Sequence, residues 1–154
     1  MRPRPDPAAY CFSTRRGRLW DGKGYLVYDD GHRNLRVDLL ADDYLSSSGR
    51  TVIALQCDPT AGKRYEGAAM IRYKGKYIVA GSGVQGWKPT DTTYAVADTP
   101  LGPYREMGLM SEQKTWSSQI SNFVYLPASD QVFAMCDLSV MPRRLRMHPG
   151  RTET

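Results

Sequence analysis

The chain has 154 residues, enough for one core by the soft prior of roughly 100 to 200 residues per domain, so a second independent core is not expected. Its 14 Gly, 10 Pro and 10 Tyr against 3 Phe favour a turn-rich β protein over a helical bundle. The net charge of +5 sits at the ends, where residues 1–18 hold five Arg against Asp6 and residues 143–154 hold four Arg against Glu153. What remains, residues 19–142, is mildly acidic, which argues against the basic folded face that a nucleic-acid binder needs.

No run of about 18 apolar residues occurs, and no apolar stretch of about 7 to 15 residues opens the chain. Neither a membrane span nor an export signal is therefore expected. Cys11, Cys57 and Cys136 are odd in number and include no C-x-x-C pair, which gives no sign of a disulfide framework or a zinc site and reads as incidental thiols. His32 and His148 are too few and too far apart for a metal cluster, and His32 reads as a solvated turn residue. No metal or cofactor is expected.

Residues 1–18 are Pro- and Arg-rich without period-2 or period-3.6 patterning and are predicted to be disordered, as is the basic tail 143–154; the folded unit is placed at 19–142. From Gly24 the chain reads as a hairpin: a strand over 24–28, a turn through Asp29, Asp30, Gly31 and His32, and a strand over 35–40. A third strand is predicted at 51–55, followed by a loop whose breakers are Asp58-Pro59 and Gly62. A second unit follows, with strands over 68–73, 76–82 and 93–97, a Lys74-Gly75 turn, a loop through 83–91 and a Leu101-Gly102-Pro103-Tyr104 closure. A third unit opens with strands over 121–126 and 132–136 around a turn at Ala128-Ser129-Asp130. No segment carries convincing helical periodicity.

The units echo one another. Gly22-Lys23-Gly24-Tyr25-Leu26-Val27 resembles Gly75-Lys76-Tyr77-Ile78-Val79 at an offset of about 50 to 55 residues, and Asp130-Gln131-Val132-Phe133-Ala134 takes the same place in the third unit. Repeated small antiparallel sheets at this period predict an all-β fold of propeller blades, each burying its faces against its neighbours, with between two and three blades present. Propellers close with roughly four to eight blades, so the chain reads as part of a larger protein.

The string Tyr65-Glu66-Gly67-Ala68-Ala69-Met70-Ile71-Arg72-Tyr73-Lys74-Gly75-Lys76-Tyr77-Ile78-Val79-Ala80-Gly81-Ser82-Gly83, followed by Gly86-Trp87, Ala95-Val96-Ala97-Asp98 and Leu101-Gly102-Pro103-Tyr104, resembles glycoside hydrolase family 43. Residues 21–28 upstream and Thr115-Trp116-Ser117-Ser118-Gln119 downstream fit in order and spacing, so the resemblance covers about residues 19–137. The Gly-Trp loop and the Ser-Gln element are most similar to exo-β-1,3-galactanase-like members. That resemblance implies a five-bladed β-propeller with its site on the central axis, and inverting hydrolysis of a β-linked galactan or related polysaccharide.

Inverting hydrolysis needs a proton donor and, across the sugar ring, a group that orients or deprotonates water, with about 6.5 to 9.5 Å between them. By resemblance Glu66, at the start of a strand and beside the small Gly67 and Ala68, is the general acid, and Gln119, at the equivalent place in the third unit, holds the water. An amide is a poor proton acceptor, so the physical expectation for Gln119 is orientation; bonding to a neighbouring blade's backbone is the alternative. Trp87 and Trp116 are the aromatic candidates for the sugar's C–H surface, Asp91 and Asp137 candidates for its hydroxyls, and Tyr94 a further candidate that as a strand residue equally suits packing between blades.

Both ends depart from the family pattern. Asp21 matches the last acid of an Asp-Asp-Asp-Gly element, but Leu19 and Trp20 replace the acids before it, and a turn role beside Gly22 suits Asp21 better than catalysis. After Asp137, where relatives continue with an aromatic segment, the sequence runs Leu-Ser-Val-Met-Pro-Arg-Arg. Mispositioning by about 1 Å can cost about a hundredfold in rate, so little or no turnover is expected from this chain alone. The expected partners are an oligo- or polysaccharide and a complementary propeller half; the alternatives are a non-catalytic carbohydrate-binding fragment and a protein-interaction propeller. Relatives of this kind are often secreted or periplasmic; the sequence leaves this chain's compartment open.

Overall fold

The computed structural model describes residues 16–20, 22–86 and 88–138, with side chains from residue 22 onward. The chain is all-β, a run of β-propeller blades, formed by three antiparallel sheets in chain order. The first holds β1 (Arg16–Trp20), β2 (Lys23–Asp29), β3 (Leu35–Leu40) and β4 (Ser47–Leu55). The second holds β5 (Tyr65–Tyr73), β6 (Lys76–Gly83), β7 (Thr92–Ala97) and β8 (Arg105–Leu109), and the third, among the described residues, β9 (Ser118–Leu126) and β10 (Gln131–Leu138). Every strand pairs with its sequence neighbour, the meander that blades require.

The local chemistry explains the turns. Tyr73 pairs with Lys76, leaving a two-residue loop in which Lys74 and Gly75 both take positive φ, the conformation whose twist matches a tight hairpin. In the β2–β3 turn Asp30 accepts the Asn34 backbone N–H and side-chain amide at 2.8 Å each and the Arg36 guanidinium at 2.5 Å. Burial alone would raise the Asp30 carboxyl, but these donors outweigh it and hold it below its ordinary value of 3.8. A lowered carboxyl pKa contributes stability in full above that value and loses it as pH falls below it. The gap in unfolding midpoint between the wild type and Asp30→Asn is therefore expected to shrink as pH falls from about 6 to about 3, as followed by thermal melts; a constant gap would remove the ionised Asp30 from the turn's stability.

Alternation along the middle sheet divides the core in two. Ala68 and Met70 on β5, with Tyr77 and Val79 on β6, face Val27, Leu35, Val37 and Leu55 of the first sheet. Their neighbours Ala69, Ile71 and Ala80 face Ile120 and Phe123 of β9. Both faces of the sheet are thus covered, which is why its strands read as near-continuous apolar runs rather than polar–apolar alternation. Tyr104, beyond the Gly-Pro closure, packs against the first cluster, and burial drives its hydroxyl far above the ordinary tyrosine range. β10 differs: Phe133, Met135 and Leu138 are exposed.

The predicted hairpins, turns and strand order are present, with β4, β5 and β9 starting three or four residues earlier than expected. Two strands were not expected. β1 begins at Arg16, inside the stretch 1–18 predicted to be disordered, because pairing with β2 supplies the order that its Arg-rich sequence does not. β8 is mostly exposed, so no clear apolar alternation marks it. The rest of the predicted N-terminal segment, the tail 143–154, Cys11 and His148 lie outside the described residues. Cys57 is half-buried and Cys136 exposed, and both are free.

Candidate active site

Glu66 is the second residue of β5 and Gln119 the second residue of β9. The structure brings them together: the Gln119 Nε2–H donates to Glu66 Oε1 at 2.9 Å, across the boundary between the second and third sheets. A bulge in β5 between Glu66 and Ala69 makes this possible, with Gly67 at φ +64°. A Cβ on Gly67 would meet the Ile120 carbonyl oxygen at 2.9 Å and the Gln119 side chain at 3.0 Å. The space that Gly67 leaves beside Glu66 is therefore filled by Gln119. The Ile120 backbone N–H donates to the fully buried Ser82 Oγ at 3.2 Å, tying the start of β9 to β6.

The segment leading into Gln119 is unusual. Residues Gln113–Ser117 form one left-handed helical turn, five consecutive non-glycine residues at φ between 50° and 63°. Each such residue costs roughly 1–2 kcal/mol relative to the right-handed form, so the turn persists only if its surroundings fix it. Asp91 Oδ1 accepts the Lys114 backbone N–H at 2.6 Å. The buried Thr115 hydroxyl donates to the Thr90 carbonyl at 2.9 Å and lies 2.9 Å from Thr92 Oγ1 and 2.7 Å from Ser111 Oγ. One donated and two accepted bonds use the full capacity of that hydroxyl. Ser118 Oγ closes the turn on the Thr115 carbonyl.

A third side chain joins the pair from the first sheet. His32, in the β2–β3 turn at φ +59°, places Nδ1 at 3.2 Å from Glu66 Oε2 and 3.5 Å from Asp29 Oδ1. Its backbone N–H donates to the same Asp29 oxygen at 2.8 Å, and its carbonyl accepts from Arg64 Nε at 3.2 Å. His32 is thus the exposed turn residue the sequence suggested, and it also faces Glu66 and Asp29. His32, Glu66 and Gln119 line a cleft of about 400 Å³ with Val84, Gly86, Lys88, Pro89 and Thr90 of the β6–β7 loop.

The other candidates part company with this cleft. Asp91 is engaged on the Lys114 backbone. Trp116, 66% exposed, stands on the left-handed turn and does not line the cleft, because the reversed turn carries its side chain into solvent. Tyr94 packs against the core between the second and third sheets, as its strand position allowed. Asp137 lies opposite Gln119 in the β9–β10 register, exposed and away from the cleft lining. Trp87 and Asp21 lie outside the described residues. The loop chosen for Trp87 does wall the cleft, through Val84, Gly86, Lys88, Pro89 and Thr90, none of which carries a sequence signature of its own. Among the described residues no group of three or more His, Cys, Asp or Glu side chains is arranged to hold a metal ion.

The chain of successive meander sheets resembles the β-propellers of glycoside hydrolase family 43, and among them the β-1,3-galactosidase and exo-β-1,3-galactanase members. A family 43 β-1,3-galactosidase solved with galactodeoxynojirimycin matches with a TM-score of 0.65 and 28% identity, over 80% of this chain and 37% of that one. An exo-β-1,3-galactanase from Phanerochaete chrysosporium solved with galactose matches with a TM-score of 0.61 and 19% identity, over 80% of this chain and 29% of that one. A thermostable family 43 glycoside hydrolase matches with a TM-score of 0.58 and 23% identity, over 84% of this chain and 47% of that one. The last two, at their low identity, speak to the fold alone. The chain spans less than half the length of each of these structures. No protein-family model and no curated protein sequence matches it.

Proposed function

We propose that the cleft is a glycoside-hydrolase site for a β-linked galactoside, with Glu66 as proton donor to the glycosidic oxygen and Gln119 as the group that orients the attacking water once the bound sugar has parted it from Glu66. The observation that carries this reading is the Gln119–Glu66 hydrogen bond within the cleft, on a fold matched at 28% identity by a β-1,3-galactosidase. The half-buried Glu66 suits a proton donor with restricted access to bulk water. The reaction is a single displacement: the Glu66 proton passes to the leaving oxygen as the glycosidic bond breaks, water adds to the anomeric carbon from the opposite face and gives up its proton to solvent, and solvent reprotonates Glu66 for the next turnover.

The 2.9 Å contact also carries a second reading. Inverting sites hold their two groups about 6.5 to 9.5 Å apart so that water and sugar fit between them. Here the amide closes on the carboxylate, so a sugar ring must part them before water can be placed. That favours, as the alternative, a chain that binds galactosides with little or no turnover. A complementary propeller half, or further blades beside β10, whose sole strand neighbour among the described residues is β9, is the proposed partner; the exposed Phe133, Met135 and Leu138 support it.

The test is calorimetry against β-1,3-galactobiose together with release of reducing sugar from β-1,3-galactan. Binding is expected, with weak hydrolysis that falls about a hundredfold in Glu66→Gln while binding persists. Binding without hydrolysis in the wild type selects the second reading. Absence of binding, or turnover that survives the substitution, removes Glu66 from the mechanism.

A further inference from the structure

We propose that His32 is a substrate-contacting residue of this cleft, held through Nδ1 on two carboxylates and presenting Nε2 to a hydroxyl of the bound galactoside; the proposal rests on the function proposed above. Its Nδ1 lies 3.2 Å from Glu66 Oε2 and 3.5 Å from Asp29 Oδ1. With the Glu66 carboxyl ionised, a ring nitrogen facing two carboxylate oxygens is matched to them only as a donor, because a lone pair there would meet only other lone pairs; a protonated Glu66 would instead donate to it. In the ionised state Nδ1 therefore carries the hydrogen, and in the neutral imidazole the acceptor lone pair is on Nε2.

The ring's position is set independently of any ligand. Asp29 fixes the His32 backbone at its N–H, Arg64 at its carbonyl, and the Glu66 carboxylate holds the side chain. His32 is nonetheless 59% exposed at its side chain and lines the cleft, and among the described residues no protein group engages Nε2. A fixed, unoccupied acceptor beside a carboxyl–amide pair is complementary to a hydroxyl donor, which a pyranose supplies. The row also has a structural logic: His32 comes from the first sheet, Glu66 from the second and Gln119 from the third, so a ligand touching all three is read by three adjacent blades.

The experiment uses the whole chain, labelled with ¹⁵N at histidine, at about pH 8, above the ordinary imidazole range. Without ligand, the His32 ring is expected as the Nδ1–H tautomer, and adding β-1,3-galactobiose is expected to move the Nε2 resonance. His32→Asn keeps a residue type that tolerates positive φ, so the turn survives; its unfolding midpoint should stay near that of the wild type while galactobiose binds about fivefold to tenfold more weakly. An Nε2–H tautomer in the wild type, or unchanged affinity in His32→Asn, overturns the proposal. A wild type that binds no galactobiose overturns both this proposal and the proposed function, whereas loss confined to His32→Asn leaves both standing.

Discussion

Gly67→Ala is expected to cost about 2–5 kcal/mol of stability and to push the Gln119 amide off Glu66. Two effects combine. An alanine at φ +64° incurs roughly 1–2 kcal/mol for the left-handed backbone. Its Cβ would also sit 2.9 Å from the Ile120 carbonyl oxygen and 3.1 Å from Gln119 Cδ, an overpacking of the kind that costs about 1–3 kcal/mol. Backbone cannot swing aside as a side-chain tip can, so either β9 moves away from β5 or Gln119 abandons its contact. Urea unfolding gives the stability, and Gly31→Ala is the control: its φ is +77°, but nothing lies within 4 Å of its Cβ, so it should lose only the backbone contribution. Equal losses in the two variants would show that Gly67 is not pinned against β9.

Thr115→Val is expected to cost about 3–5 kcal/mol although the two side chains have nearly the same shape. The Thr90 carbonyl loses its donor, and the Thr92 and Ser111 hydroxyls lose their shared acceptor, in surroundings where an unmatched polar group costs about 1–3 kcal/mol each. Without that hub the left-handed turn at Gln113–Ser117 keeps Asp91 on the Lys114 N–H and Ser118 Oγ on the Thr115 carbonyl but loses its buried side-chain anchor, and its backbone can relax towards the right-handed region. Thr115→Ser keeps the hydroxyl and should regain most of the loss. Urea unfolding reads the energy, and limited proteolysis reads the relaxation as new cleavage within 113–117. A valine variant as stable and as resistant as the wild type would mean that the turn is held by something other than Thr115.

The two cases show where sequence reasoning reaches and where it stops. Strand order and the Lys74-Gly75 hairpin were legible because period, turn chemistry and apolar runs are local signals, whereas Glu66 and Gln119 were found through the resemblance to glycoside hydrolase family 43. β1 was not, because its order comes from pairing with β2 rather than from its own composition. The left-handed turn was invisible for the same kind of reason: nothing in Gln-Lys-Thr-Trp-Ser favours positive φ, and the conformation is imposed by Asp91, Thr90, Thr92 and Ser111. That reversal also explains why Trp116, a sound aromatic candidate by sequence, points to solvent. His32 is on the surface, as its place after Asp-Asp-Gly suggested, but its approach to Glu66 was not legible because only the docking of the first two sheets creates it.

Because its three polar members are supplied by three separate sheets, the cleft belongs to none of them and exists only while all are docked. Partial opening at either seam would separate His32, Glu66 and Gln119 before any strand came apart, so under the proposed function local breathing, rather than global unfolding, would set the fraction of molecules able to hold a galactoside.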